Sequence, residues 1–274
     1  MVSVEVLVLT TVAFRVLASA GSRWNDCIHR TSCTCFAKLQ GRGWCGGGYD
    51  DWMDGTSIQP EAHLCVLVRH DPAIPTATFL AFLYSLLAQT FNSLDIFIKN
   101  TRAIREEHHA ALAMIPKDER IHQRWGVICK ENTFGYCELD QLLEYALQEY
   151  KQCTHFLFTN SDNLYNVEFA RTMMTKFERE TVMVVSNFVT HHLRRGRKKQ
   201  RLRNMHIRAA FRRRFMDLGS VIVAKWAIES TGARFLPSED PLAADWLFYK
   251  KLTSSTSAQL EEAVFLEETL FFHQ

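Results

Sequence analysis

Proline and glycine are scarce in this sequence. Its 274 residues include 6 Pro and 12 Gly, which are too few for a fibrous or low-complexity protein. Beyond residue 20 the sequence lacks any run of about 18 uncharged apolar residues, and this absence predicts a soluble body without further membrane spans. Internal repeats are also missing. The 47% hydrophobic and 23% charged residues are typical of a globular protein.

Residues 1–20 are mostly apolar and end in a small-x-small pattern at 18–20, which is typical of a secretory signal or a membrane anchor. Glu5 and Arg15 interrupt the run, and no Lys or Arg precedes it. A poorly packed extension, or a mispredicted first exon, is therefore an equal alternative. A signal or anchor predicts membrane contact and the secretory pathway, in the ER or Golgi lumen. Otherwise we expect a cytoplasmic protein.

The eight cysteines include two groups of different character. Four crowd into a Gly-rich stretch without regular periodicity: Cys27, Cys33, Cys35 and Cys45. These could form disulfides in an oxidising compartment, remain free thiols or bind zinc, although the C-x2-C pairs that identify a zinc site are missing. Three others lie in or beside apolar runs and are expected to be plain buried residues: Cys65, Cys129 and Cys153.

Residues 1–60 are predicted to be an N-terminal appendage, and the compact domain is expected to span 61–274. Within that domain, apolar runs rich in β-branched residues alternate with helical patterns. The alternation predicts an α/β fold, with a mostly parallel central sheet flanked by helices in a single Rossmann-like domain. The tail 257–273 has spaced apolar residues and is expected to be a docking helix. Predicted strands are 64–69, 94–99, 125–130, 155–159 and 181–188, and predicted helices are 76–91, 103–114, 139–152, 166–178 and 241–252.

Polar side chains lie at the ends of several predicted strands. Arg69 and His70 end the first, Asn100 follows the second, and residues 160–163 follow the fourth. Ligands bind beyond the carboxyl ends of parallel strands, so these residues are expected to lie close together. At such a rim the carboxylate of Asp162 suits Mg²⁺ or Mn²⁺, which would bridge it to a diphosphate. The alternative is that 160–163 is an Asx-rich cap and turn.

Four segments, in this order, resemble the GT-A glycosyltransferases, the nucleotide-diphospho-sugar transferase superfamily. LCVLVRHD at 64–71 is similar to their first nucleotide-binding strand, and FLYSLLAQTF at 82–91 to the helix that follows it. HFLFTNSDNLY at 155–165 resembles their strand with the Asp-x-Asp metal motif. MDLGSVIV at 216–223, followed by AADWLFYKKL at 243–252, resembles the acceptor-side segment and the helix that carries the catalytic carboxylate. The resemblance covers residues 61–252.

The resemblance implies a GT-A-like fold and a hexosyltransferase-like enzyme that uses a UDP- or GDP-sugar. It implies transfer to a hydroxyl of a glycan, protein or lipid acceptor, assisted by Mn²⁺ or Mg²⁺. It also assigns roles to individual residues. Asp245 would be the general base, Asp162 with Asn160 would hold the metal, and donor binding would involve Arg69, His70, Asn100 and Ser161.

Two departures from the family pattern motivate a second hypothesis. Asn160 stands where the metal motif has its first carboxylate, so metal affinity is expected to be weaker. The second strand ends in Lys99 and Asn100 rather than in the usual acidic residue. The chain could therefore be a non-catalytic relative that binds a nucleotide sugar.

Several acidic and histidine side chains have alternative interpretations. Asp245 could act as the base or only stabilise the first turn of its helix, where the helix dipole favours the ionised form. Asp217 could contact the acceptor or be a turn residue. Adjacent histidines at 108–109 and 191–192 point to different sides of their elements and are not expected to share an ion. Nearby substitutes for the base, and a residue that could cap a metal from the tail, are Glu239, Asp240 and His273.

Residues 194–214 form a basic stretch of 11 Lys and Arg without Asp or Glu. The whole chain has a net charge of +2, so the residues outside this stretch carry a net charge of −9. The stretch could be a solvated loop, a loop that grips a diphosphate or an acidic acceptor, or a segment for nuclear targeting or RNA binding. The last function is our third hypothesis. Nucleic acid is not the expected partner, because no aromatic interleaving or RNA-binding motif accompanies the charges.

Overall fold

The first, second and fourth predicted strands form where the sequence places apolar, β-branched runs. The structure, a computed structural model, describes residues 58–59, 61–104, 106–125, 129, 133–190, 205–213, 215–238, 240, 243–254 and 263–273. These all belong to one compact unit, Ser57–Gln274. The segments 1–20 and 27–45, and with them the predicted signal and the four crowded cysteines, lie outside the described residues. The limits of the appendage therefore stay a prediction.

Nine strands and six α-helices make up the described part of the chain. The strands are β1 Leu64–His70, β2 Leu94–Asn100, β3 Ile121–Gln123, β4 His155–Asn160, β5 Leu164–Tyr165, β6 Met183–Thr190, β7 Met205–Ile207, β8 Val221–Ala224 and β9 Ala263–His273. The helices are α1 Thr76–Leu87, α2 Glu106–Ala113, α3 Tyr136–Glu149, α4 Phe169–Met174, α5 Lys225–Thr231 and α6 Ala244–Ser254.

The strands form one sheet in the order β3-β2-β1-β4-β8-β6-β9-β5, with β7 paired to β6. Strands β3, β2, β1 and β4 are parallel neighbours. Strand β8 is antiparallel to both β4 and β6, and β9 is parallel to β6. Thus β6 and β9 run in the same direction as β1, and six of the nine strands share it. The mostly parallel α/β fold is therefore confirmed.

Helices pack against the sheet through apolar side chains. Helix α3 contacts β1 and β2, while α4 contacts β6. Leu139, Leu143 and Ala146 of α3 are fully buried, because the 3.6-residue period of the helix brings them to its sheet-facing side. Between the layers lie several fully buried aromatic rings, each stabilising the fold by about 1.5–3 kcal/mol, among them Phe79, Phe82, Phe97, Phe156 and Phe158.

Two predictions about elements were wrong. The tail does not form a docking helix, because residues 263–273 are strand β9, paired with β6 on one side and β5 on the other. The third strand, β3, lies at Ile121–Gln123 rather than from residue 125 onward, and it pairs with β2. Apart from Trp125 and Cys129, the segment 125–130 lies outside the described residues.

Disulfides correct the prediction for Cys65, Cys129 and Cys153. Cys65 and Cys153 are fully buried as expected, but they are bonded to each other across 88 residues. Cys129 is bonded to Cys137 in the first turn of α3. In the part of the chain that the structure describes, no helix has the length and apolar character needed to cross a membrane.

Candidate active site

A cleft of about 670 Å³ opens at the carboxyl ends of β1, β2 and β4. This is the edge where an α/β sheet binds its ligands, and β1 pairs with both neighbours there, Arg69 lying opposite Lys99 and Asn160. Polar and charged side chains dominate the walls. The lining residues are Arg69, Asp71, Ile74, Thr101, Arg102, Thr133, Phe134, Gly135, Glu138, Asn160 and Asp162.

Arg69 is held in the wall of the cleft by contacts from β4 and the loop before α3. Its Nε donates to Oδ1 of Asn160 at 2.5 Å. One Nη donates to the carbonyl oxygen of Phe134 at 2.5 Å. The guanidinium carbon lies 4.7 Å from the centre of the Tyr136 ring, a cation–π distance. The sequence placed Arg69 and Asn160 in one site, and the strand register brings them into direct contact.

The loop before α3 was missed by the sequence interpretation. Phe134 and Gly135 both have positive φ, at 54° and 79°. A Cβ at Gly135 would lie 2.8 Å from Cδ of Arg69 and 2.8 Å from Cγ2 of Thr101. Only glycine therefore lets Arg69 occupy its position at this turn. The available signal was the Phe-Gly pair directly before a helical pattern, although its proximity to Arg69 is a tertiary contact.

His70, Asn100 and Ser161 lie beneath the cleft rather than on its surface. All three are buried. His70 Nδ1 and the Ser161 hydroxyl share a hydrogen bond of 2.8 Å, and Asn100 donates to the carbonyl oxygen of Arg102 at 2.6 Å. Burial lowers the pKa of His70 to about 4, so this ring is neutral at physiological pH. These residues fix the strand ends that carry Arg69 and Asp162, and their predicted contact with a donor stays a prediction.

Asp217 and His273 form an ion pair near Asp162, with 3.0 Å between Oδ2 and Nδ1. The Gly219 amide donates to the other Asp217 oxygen at 3.0 Å. Burial raises the pKa of Asp217, but the charge and hydrogen bonds of its partners outweigh burial and lower it overall. Burial lowers the pKa of His273, yet Asp217, with a contribution from Asp162, raises it overall. Each member of the pair therefore favours the charged form of the other.

Asp245 lies in the first turn of α6 and is not among the residues that line the cleft. Burial raises its pKa, and the charge of Asp217 adds to this, whereas a hydrogen bond from the Trp246 amide and the charge of Arg69 lower it. Burial has the largest effect on this carboxyl, and the role of Asp245 as the general base stays a prediction. A raised pKa makes a carboxylate a stronger base.

The resemblance implies a divalent cation, and the residues present fit it poorly. Asn160 offers a neutral oxygen that already accepts from the Arg69 guanidinium, whose positive charge would repel a metal at the same atom. Among the residues that the structure describes, no three His, Cys, Asp or Glu side chains are grouped so as to hold a metal. Asp162 is the carboxylate that would ligate such an ion. The assignment of Asp162 and Asn160 to a metal stays a prediction.

The described end of the basic stretch, 205–213, extends the sheet. Strand β7 pairs with β6, and Arg213 forms a 2.6 Å ion pair with Asp240, so this substitute base is engaged elsewhere. Residues 194–204 and 214, together with Glu239 and the histidine pair 191–192, lie outside the described residues. The alternative functions of the stretch stay predictions.

Comparisons with known proteins agree with this architecture. No family model matches the sequence, and no curated protein matches it. The structure of Staphylococcus aureus TarS superposes on 77% of this chain and 36% of that chain, with a TM-score of 0.53 and 13% identity. TarS 1–349 with UDP-GlcNAc covers 77% of this chain and 58% of that chain, with a TM-score of 0.52 and 13% identity.

A mannosyltransferase structure has a similar fold. The mannosyltransferase PcManGT from Pyrobaculum calidifontis, in complex with GDP-Man and Mn²⁺, covers 97% of this chain and 66% of that chain, with a TM-score of 0.51 and 10% identity. The chain thus spans less than two thirds of the TarS structures. At such identities the likeness is one of fold. The chain shares the fold of the TarS and PcManGT structures, which agrees with the GT-A-like fold expected from the sequence.

Proposed function

We propose that this chain is a glycosyltransferase, which moves a sugar from a nucleotide-diphospho-sugar to an acceptor hydroxyl. The observation that carries the proposal is the polar cleft at the carboxyl ends of β1, β2 and β4, with Arg69 and Asp162 in its lining. The fold neighbours with UDP-GlcNAc and GDP-Man support a UDP- or GDP-sugar as the donor. The acceptor is a hydroxyl of a glycan, protein or lipid.

In the proposed reaction the acceptor oxygen attacks the anomeric carbon, whose bond to the diphosphate oxygen breaks. Asp245 takes the acceptor proton, and the electron pair of the broken bond leaves on the nucleoside diphosphate. Support for Asp245 comes from its raised pKa and from the nearby charges of Asp217 and Arg69.

The disulfides support a place in the oxidising lumen of the secretory pathway. Two disulfides occur among the described cysteines, Cys65–Cys153 and Cys129–Cys137. A secretory signal or anchor in residues 1–20 would bring the chain there.

Donor turnover with the Asp245→Asn variant tests the proposal. The release of UDP or GDP would be measured from a panel of UDP- and GDP-sugars, with and without acceptors. We expect the variant to lose about 10²- to 10⁴-fold in transfer rate, the usual contribution of a general base, while it still binds nucleotide. Glu229→Gln on the exposed face of α5 removes a carboxylate outside the cleft and should leave the rate unchanged.

Two outcomes would redirect the proposal. Equal rates in wild type and Asp245→Asn would contradict the assignment of the base. Nucleotide binding without turnover of any donor would instead favour a non-catalytic relative. The specific observation behind that second function is Asn160 in place of a carboxylate.

A further inference from the structure

Arg69 carries a positive charge into the wall of the cleft in a fixed orientation. The side chain is only partly exposed, and three groups from two different elements hold its guanidinium: the Asn160 amide, the Phe134 carbonyl and the Tyr136 ring. Hydrogen bonds to Asn160 and Phe134 use two of the five N–H donors of this arginine, and the Tyr136 side chain engages a further one. The remaining donors are available to a ligand in the cleft.

The contact with Asn160 leaves the charge of Arg69 uncancelled. A carboxylate at position 160 would lie 2.5 Å from Nε and would form an ion pair that neutralises the guanidinium. The amide oxygen of Asn160 accepts the same hydrogen bond without bringing a negative charge. It therefore orients Arg69 and preserves its charge for an anion.

Most other charged side chains of the cleft lining have described polar partners. Asp71 accepts from Arg102 at 3.1 Å, and Glu138 accepts from the backbone amide of Cys129 at 2.9 Å. Asp162 lies within electrostatic reach of His273, which is paired with Asp217. Among the described residues Arg69 forms no salt bridge with a carboxylate, although the charges of Asp217 and Asp245 lie within its electrostatic reach.

We infer that the Arg69 guanidinium, oriented by Asn160, takes the position and charge role of a divalent cation toward the donor diphosphate, so that nucleotide binding needs no metal. The inference rests on the proposed function. A guanidinium presents paired donors to phosphate oxygens and remains protonated at any pH of interest. Gly135 serves this arrangement, because a Cβ there would displace Arg69.

The test is calorimetric binding of UDP and GDP, measured in excess EDTA and in MnCl2. We expect wild type to bind equally well in both. Arg69→Met should weaken binding about tenfold to a hundredfold, the loss expected for a charged hydrogen bond. Arg69→Lys keeps the positive charge but loses the paired N–H donors of the guanidinium. Its nucleotide affinity should lie between those of wild type and Arg69→Met. Arg124→Met removes an arginine that stacks 3.7 Å above Tyr145 outside the cleft lining and should bind as wild type does.

A double variant tests directly whether a divalent cation can replace the positive charge of Arg69. Arg69→Met with Asn160→Asp removes the cation and restores the acidic pair with Asp162. Its binding is expected to recover in MnCl2 and not in EDTA. Thermal unfolding of each variant would show that the fold is retained.

The remaining results distinguish a failure of the inference about Arg69 from a failure of the proposed function. Wild-type binding that requires Mn²⁺, or Arg69→Met binding equal to wild type, would overturn the inference and leave the proposed function standing. Failure of wild type to bind UDP or GDP in either condition would overturn the proposed function, and the inference with it.

Discussion

A methyl group added at Gly219 should strongly destabilise the packing between the 3-10 turn Leu218–Ser220 and strand β9. A Cβ there would lie 2.5 and 2.6 Å from ring carbons of Phe271 and 2.8 Å from the Tyr165 hydroxyl. Carbon atoms pack at about 3.5–4.0 Å, so something must shift by about 1 Å. The Phe271 ring is fully buried, and its backbone is paired with β5 and β6.

We expect Gly219→Ala to destabilise the protein by about 3 kcal/mol, the upper part of the range for overpacked cores. At about 2–4 °C per kcal/mol for a domain of this size, Tm should fall by roughly 6–12 °C. The assay is urea unfolding, with Phe271→Leu as the partner in a double-mutant cycle. The smaller side chain makes room for the methyl group, so the double variant should be more stable than the sum of the single changes, by about 1–2 kcal/mol.

Gly232→Ala is the matched control for this cycle. Gly232 has a positive φ of 57°, unlike Gly219, and nothing lies within 4 Å of its added Cβ. Its substitution should cost about 1–2 kcal/mol through backbone conformation alone, with no coupling to Phe271→Leu. Strict additivity of Gly219→Ala and Phe271→Leu would refute the steric argument.

Two further predictions concern disulfides and pH. Loop entropy predicts that the double variant Cys65→Ala/Cys153→Ala, which removes a bond across 88 residues, lowers the free energy of unfolding by about 4–5 kcal/mol. The double variant Cys129→Ala/Cys137→Ala removes a bond across 8 residues and should lower it by about 2–3 kcal/mol. Urea unfolding would rank them, and only the second pair should weaken nucleotide binding, since Cys137 follows the Arg69-contacting loop. Burial lowers the pKa values of His70 and His155 to about 4 each. The unfolded chain binds protons at these histidines at a higher pH than the folded chain does. The free energy of unfolding should therefore fall as pH drops from about 6.5 to about 4, by roughly 3 kcal/mol per histidine. His155→Gln should remove about half of that loss, and an unchanged dependence of the free energy of unfolding on pH would contradict the burial argument.

Strands β1, β2 and β4 were predictable because they are short apolar runs bounded by polar residues. β9 was not, because the consecutive residues Leu270, Phe271 and Phe272 are all buried, which requires that both faces of the strand are covered there. A strand buried in this way loses the alternating pattern, and its three- and four-residue apolar spacings then suggest a helix. Tertiary pairing with β6 decided the outcome over the local pattern.

Strand ends led the sequence interpretation to Arg69, Asn160 and Asp162, which do share one cleft. The contacts that orient Arg69 could not be predicted, since Phe134 is 65 residues away from it in the chain. The Cys65–Cys153 bond has the same origin. It depends on the alignment of β1 and β4 rather than on any spacing visible along the sequence.

That bond ties β1 to Cys153, two residues before the start of β4, at the end of the strands opposite the cleft. A strand that slides against its neighbour by one residue turns every side chain to the other face. The disulfide prevents such sliding and so fixes the register of β1 against β4. Arg69 and Asn160 at the cleft end of these strands therefore keep their register, and with it the hydrogen bond that orients the guanidinium.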